Sequence, residues 1–437
     1  ELVIRCTDDL RDQAFPYGKQ VRNRGGMWYT PVSGIWQTVW LESVPGTYIE
    51  NLNIENHGAS VTISTVPPLE GTVNVEQLGQ FPLEHGQVTI APENPHFWCP
   101  DDPYLYRFTV ETAQDKVESY FAIRSLEIKK VGGYPRLCLN GKPYFFHGLL
   151  DQGYWPEGLL TAPAPESYAD DILAMKRLGF NTLRKHIKVE PEEFYYQCDR
   201  LGMIVWQDMV NNSSYSYFRD TVLPTIGIQK WNDRRLHLDE RSRNAFRQGA
   251  ADAVNQLKNH PCICYWTIFN EGWGQFDSDR VCGWFRTLDA TRFIDTTSGW
   301  FRGKNTDVDS RHQYFGKLRL EGDGLRPLVL SEFGGKTLRV EGHIFNPDKT
   351  YGYGACPTRE ALNEAVAALY RESIVPAVEK GLCAAIYTQI SDVEDEVNGL
   401  ATYDRRVVKL DADTMLPISR ALQDAMEKTV ASFEKMG

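Results

Sequence analysis

At 437 residues the chain has room for two or three domains, and its aromatic share of 12% is high beside an ordinary apolar fraction. A formal net charge of −11 excludes a nucleic-acid partner, which needs basic patches. No apolar run reaches the ~18 residues of a membrane span, so no membrane partner is expected, and no secretory leader is visible. The chain opens at Glu1 in strand-like sequence with no Met, which reads as a fragment. Residues 1–44 hold one clear strand pattern, Gly34-Ile-Trp-Gln-Thr-Val-Trp-Leu41, too little for a domain. They are expected to be the C-terminal part of a β-sandwich whose earlier strands are absent, with open sheet edges. Residues 45–127 carry short β-rich runs broken by Pro and Gly, over 47–54, 60–66, 71–75, 87–91, 105–111 and 116–123. That spacing, without helical periodicity, predicts one immunoglobulin-like sandwich. From 128 to 437 strands alternate with helices. Eight strands are expected, over 143–149, 182–186, 203–208, 262–270, 293–298, 309–314, 328–332 and 383–389. Helical patterns cover 165–178, 191–201, 235–259, 279–290 and 359–380, with Gly179 and Gly202 at stop positions. This predicts a (β/α)8 TIM barrel. A doubly wound sheet would want a Gly-rich phosphate turn after its first strand, and none is present.

A strand buried on both faces has no reason to finish on a carboxylate. Yet Cys262-Ile-Cys-Tyr-Trp-Thr-Ile-Phe269 runs into Asn270-Glu271, and Pro327-Leu-Val-Leu-Ser331 runs into Glu332. In a parallel barrel both acids arrive at the C-terminal face, where catalytic groups gather. Two facing carboxylates are what glycosidic hydrolysis needs: one protonates the leaving oxygen, the other attacks or supports the cationic carbon. The other strand ends add Asp151, Arg184 with His186, Asp208, His312 with Tyr314, and Tyr387 with Gln389. For Arg184, Asp208 and His312 a plain polar cap on a strand competes with a functional role. For Glu271 and Glu332 it does not, because an unpaired buried carboxylate is costly. Trp155, Trp273 and Trp300 follow strands one, four and five, where sugar stacking and ordinary packing weigh about equally. Nine scattered cysteines, odd in number and several inside apolar runs, read as reduced thiols and lean toward a cytoplasmic location. Cys262-Ile-Cys264 lacks further ligands at zinc spacing and reads as strand.

Four segments carry a resemblance. Trp28-Tyr-Thr-Pro-Val-Ser-Gly-Ile-Trp-Gln-Thr-Val-Trp-Leu-Glu42, Asn181-Thr-Leu-Arg-Lys-His186, Asn259-His-Pro-Cys-Ile-Cys-Tyr-Trp-Thr-Ile-Phe-Asn-Glu271 and Ser331-Glu-Phe-Gly334 resemble signatures of glycoside hydrolase family 2, the group of β-galactosidases, β-glucuronidases and β-mannosidases. The resemblance implies a jelly-roll sandwich, an immunoglobulin-like sandwich and a catalytic barrel, with retention of anomeric configuration. It implies Glu271 as general acid/base and Glu332 as nucleophile. Asp151, Arg184, His186, Asp208, Asn270, Trp300, Tyr314 and Tyr387 are then expected to bind substrate. Asn270 would donate to the sugar 2-hydroxyl, and Tyr314 and Arg184 would hold Glu332 ionised.

Two departures bear on the sugar. Strand eight has Tyr387 where many members place Trp. Glu396-Val-Asn398 stands where β-glucuronidases carry Asn-x-Lys, so a uronic acid would be repelled. The acidic run Asp392 to Glu396 is expected as a solvated loop, ahead of a cation- or hydroxyl-binding one. The expectation is a retaining, exo-acting β-glycosidase on terminal neutral sugars, first of all β-galactosides. β-Mannosides, glucuronides and a non-catalytic carbohydrate-binding relative are the alternatives. No cofactor is required and no metal ligands are assigned, although some relatives hold a divalent cation near the pocket. A carbohydrate is the expected partner, and a homo-oligomer is compatible with the class.

Overall fold

The computed structural model describes residues 2–225, 228, 232–301 and 303–434, with side chains through residue 430. In the sandwich, one antiparallel sheet pairs Asn51–Asn56, Val61–Val66 and Gln87–Ile90. The other orders Gly79–Leu83, Gly71–Val75, Tyr106–Thr112 and Lys116–Phe121. Alternation sends Val61, Ile63, Val73, Val75, Phe108 and Val110 into the layer between them. The strand Gly79–Leu83 was not anticipated. It carries Pro82 and lies at a sheet edge, where a residue without an N–H is tolerated.

A small antiparallel sheet of Leu126–Val131, Tyr134–Leu139 and Lys142–Pro143 follows. Its buried Arg136 donates to the carbonyls of Val378 (2.6 Å) and Leu382 (3.2 Å), tying it to the base of the next unit. Lys142–Pro143 belongs to this sheet, so the first barrel strand starts later than expected. The eight barrel strands are Phe146–Asp151, Thr182–Lys185, Ile204–Asp208, Ile263–Asn270, Phe293–Ser298, Asp309–Gln313, Leu328–Gly334 and Leu382–Thr388. All run parallel, in the order five, four, three, two, one, eight, seven, six. Between strands five and six the contact is through side chains, Ser298 Oγ to Ser310 Oγ at 3.2 Å. Nearly every strand residue is buried, as expected when the lumen is filled and the outside is covered by helices.

The helix Ala412–Glu434 was not foreseen, because Pro417 interrupts its pattern. Pro417 is on the exposed face, while Met415, Ile418, Leu422 and Met426 form a buried stripe. The sandwich is fastened to the barrel by buried polar bonds: Trp98 Nε1 and Tyr120 Oη donate to Asp199, at 2.8 and 2.7 Å, and Arg124 donates to the carbonyls of Pro261 and Ile263.

Residues 2–44 contain no regular strand; their backbone pairing is limited to isolated bridges such as Gln20–Tyr29 and Gly25–Trp28. The expected strand at 34–41 is coil. A strand exists by pairing, no described segment offers it a ladder, and Ile35, Val39, Trp40 and Leu41 are exposed. The segment instead crosses the C-terminal mouth of the barrel, where Tyr29, Tyr154, Leu160, Val393 and Tyr403 form a separate apolar cluster.

Candidate active site

The two acids meet. Glu271 stands just past strand four with φ +49°, in the left-handed region, and its N–H donates to Ser298 O (2.8 Å). Glu332 lies within strand seven and is buried. Oxygens of the two carboxyls and a ring nitrogen of His312 all lie within 4.8 Å of one another. His312 Nδ1 is 2.8 Å from Glu271 Oε1 and 3.6 Å from Glu332 Oε2, so the ring bridges the acids. Among the described residues this trio is the one set of three such side chains converging at metal-binding distance. A cation seated there would tie up both acids.

Arg184 organises the inner wall. Its Nε and Nη2 donate in parallel to Asp208, both at 3.0 Å; Nη1 donates to Glu332 Oε1 (3.1 Å) and Nη2 to Asn270 Oδ1 (2.9 Å). His186 Nδ1 meets Asp208 at 2.7 Å. Tyr314 Oη donates to Glu332 Oε2 (2.5 Å) and also meets Thr388 Oγ1 (2.9 Å). Burial alone would raise the Glu332 pKa. The charges of His312, Arg184 and His186 and the Tyr314 hydroxyl outweigh it and hold the carboxyl below the ordinary carboxylate range. Asp208 is likewise pushed up by burial but held at about 2, chiefly by Arg184 and His186. Asn270 spends its oxygen on Arg184, leaving Nδ2 buried with no acceptor. Gln152 Oε1 and Trp273 Nε1, both on cleft-lining residues, are also buried without partners.

Of the expected binding residues, Arg184, His186, Asp208, Asn270 and Tyr314 converge here. Two do not face the cleft as expected. Asp151 turns outward and accepts from Lys185 Nζ (2.5 Å), and its neighbour Gln152 lines the cleft instead. Tyr387 is fully buried and receives Lys336 N (3.1 Å), so Thr388 is the strand-eight residue in the cleft. Successive strand residues point to opposite faces, which is why the neighbour takes the place each time. Trp300 is half-buried with its ring edge-on to His312 at 6.0 Å, supporting the acids' neighbour. Trp273 does line the cleft, stacked on Trp28 at 5.1 Å.

The expectation of a solvated acidic loop is overturned: Asp392, Glu394, Asp395 and Glu396 are all buried. Asp392 is paired with Lys409 (2.6 Å), and Arg24 reaches Asp395 (2.8 Å). Thr30 N donates to Glu394 (2.8 Å) and Tyr29 Oη to Glu396. The partners come largely from residues 24–30, a contact that no local pattern announces. Residues 19–30 also bring Lys19 and Met27 into the cleft beside Tyr353.

The sequence profile "Glycosyl hydrolases family 2, TIM barrel domain" matches residues 131–347, and "Glycosyl hydrolases family 2" matches 47–124. The chain belongs to glycosyl hydrolase family 2. It is 29% identical over 266 residues to a β-galactosidase of Pseudoalteromonas haloplanktis, covering 56% of this chain and 24% of that one. With a β-galactosidase of Yersinia enterocolitica the identity is 28% over 255 residues, 57% of this chain and 22% of the relative. The match thus spans about a quarter of the length of these curated relatives. The fold of this family 2 chain is similar to a β-D-glucuronidase of Dictyoglomus thermophilum, with TM-score 0.63, 17% identity, and coverage of 91% of this chain and 71% of that one. It is also similar to a β-galacturonidase of Eisenbergiella tayi bound to galacturonate, with TM-score 0.57, 17% identity, and coverage of 87% and 72%. No described helix is long and apolar enough to cross a membrane, and all nine cysteines are free.

Proposed function

We propose that the chain is a retaining, exo-acting β-glycosidase that removes terminal neutral β-linked sugars, β-galactosides first, by double displacement. The observation that carries this reading is the pair of carboxyls with oxygens within 4.8 Å, close to the ~5–5.5 Å separation of retaining enzymes. Their surroundings divide the roles. Glu332 is held ionised by Arg184 and Tyr314 and attacks the anomeric carbon. Glu271, near the surface and beside His312, gives its proton to the leaving oxygen and then activates water. Asn270 Nδ2 offers the buried donor expected for the sugar 2-hydroxyl, a bond that strengthens in the transition state. Asp208 and His186 hold Arg184 in place, Trp273 supplies an apolar face, and no cofactor enters any step.

The neutral sugar is supported by the buried Glu396 on the cleft wall, which disfavours a second carboxylate, and by the names of the curated relatives. The test is a panel of p-nitrophenyl β-glycosides of galactose, mannose, glucose and glucuronic acid. The galactoside is expected to have the highest kcat/KM and the glucuronide at least about tenfold less than the best neutral sugar. A glucuronide turned over faster than the galactoside and glucoside would overturn the neutral reading.

A further inference from the structure

The mechanism leaves two charged groups in the cleft wall unused. Lys19, from the segment that crosses the barrel mouth, is 6% exposed. Its Nζ has no hydrogen bond or ion pair among the described residues. The ring faces of Trp273 (5.5 Å) and Tyr29 (5.7 Å) lie close by. Lys19 lines the cleft, so the three donors of its ammonium are open to a ligand there. Glu396 lines the same cleft, and Tyr29 Oη donates to its Oε2. Its Oε1 meets Asn398 Nδ2 at 3.5 Å, too far for a full-strength bond, and Gln389 adds further support to the carboxylate. Burial raises the Glu396 pKa and the Lys19 charge offsets part of that rise, yet no ion pair joins the two among the described residues.

A gap with an unfilled donor on one side and an under-used acceptor on the other suits one kind of group. A hydroxyl both accepts from an ammonium and donates to a carboxylate. A sugar carboxylate would confront Glu396, and a sugar ammonium would confront Lys19. We propose that Lys19 and Glu396 form a donor–acceptor pair that reads an uncharged hydroxyl of the terminal sugar, so that the segment over 19–30 sets the specificity of the barrel site. The inference rests on the glycosidase reading and adds the residues that select the sugar.

The segment is held for this role. Arg24 to Asp395 (2.8 Å), Thr30 N to Glu394 (2.8 Å) and Tyr29 to Glu396 lock it against the loop that carries the acceptor. Donor and acceptor therefore come from opposite ends of the chain and are set at a fixed spacing before any sugar arrives.

The test is calorimetric binding of methyl β-galactoside, glucoside and mannoside, and of methyl β-galacturonide and glucuronide. The wild-type chain, Lys19→Met and Glu396→Gln are each titrated, with p-nitrophenyl glycoside turnover measured in parallel. Wild type is expected to prefer a neutral glycoside. Lys19→Met should weaken that glycoside at least about tenfold, as expected for a hydrogen bond to a charged group. Glu396→Gln should narrow the neutral-over-uronide ratio at least about tenfold. If Lys19→Met does not melt cooperatively, Lys19→Gln takes its place. Variants that fold yet keep affinities and ratios within about twofold of wild type would overturn the proposal. So would a wild-type chain that binds none of the five glycosides. A wild-type preference for a uronide that vanishes in Lys19→Met would also overturn it, making Lys19 a carboxylate receptor. Expected binding shifts without any turnover would leave the hydroxyl pair standing and remove the glycosidase reading instead.

Discussion

Arg184 joins four groups of the site with one side chain: Asp208 by a two-point contact, Glu332, Asn270 and the carbonyl of Ser331. Two predictions belong at this scale. The first separates the acids. Glu332→Gln should lose activity by roughly 10⁴-fold or more on every substrate, because no glycosyl-enzyme can form. Glu271→Gln should keep its first step on an aryl glycoside with an acidic leaving group, and then stall. Azide, which needs no general base, should restart it and give the β-glycosyl azide. Rescue of the Glu332 variant to a β-azide, with none for Glu271, would reverse the roles. The second prediction concerns pH. Burial pushes both carboxyls up, yet neighbouring charges hold Glu332 below the ordinary carboxylate range and Arg184 and His186 hold Asp208 at about 2. Their contribution to stability is thus complete above the ordinary values and lost as pH falls toward 2. Asp208→Asn removes one of the two groups and unpairs a buried guanidinium edge. It should cost about 3 kcal/mol at pH 7 and show a shallower loss of stability from pH 5 to 3. Urea midpoints across that range test it; an unchanged slope would contradict the pairing.

At the scale of the element, strand seven shows how tightly the site is framed. Gly334, two residues beyond Glu332, has φ +86°, and a Cβ there would lie 2.2 Å from the Tyr387 ring. Gly334→Ala should therefore cost at least about 2 kcal/mol, through overpacking and a left-handed backbone, and should lower kcat by displacing Glu332. Thermal melts and kinetics check this. Full activity in a stable variant would show that strand seven has slack. The eight strands and the two acids were legible in the sequence because buried parallel strands read as long apolar runs whose polar ends stand out. Which side of a strand each polar residue takes was harder to read. At strands one and eight Asp151 and Tyr387 were expected in the cleft, and the neighbouring Gln152 and Thr388 occupy it. A one-residue error reverses the face, and strand ends are where register is least certain.

At the scale of the whole molecule, the least legible feature is the union of residues 19–30 with the loop 392–396. The run Asp-Val-Glu-Asp-Glu looks solvated by composition, and only the arrival of Arg24, Tyr29 and Thr30 makes its burial tolerable. Contacts of such sequence separation leave no periodic trace in either segment. The sandwich, by contrast, was readable from its alternation apart from the edge strand Gly79–Leu83, and Trp98, Tyr120 and Arg124 attach it to Asp199, Pro261 and Ile263 of the barrel. The whole assembly is read as serving one event, attack of Glu332 on an anomeric carbon. The most direct test is a 2-deoxy-2-fluoro-β-galactoside with a good leaving group. The fluorine slows both steps, the leaving group keeps the first one fast, and the glycosyl-enzyme accumulates. Mass spectrometry of the intact chain should show one added fluorosugar, and the digested protein should carry it on the peptide containing Glu332. A label on the peptide containing Glu271, or inactivation without any covalent adduct, would contradict the account.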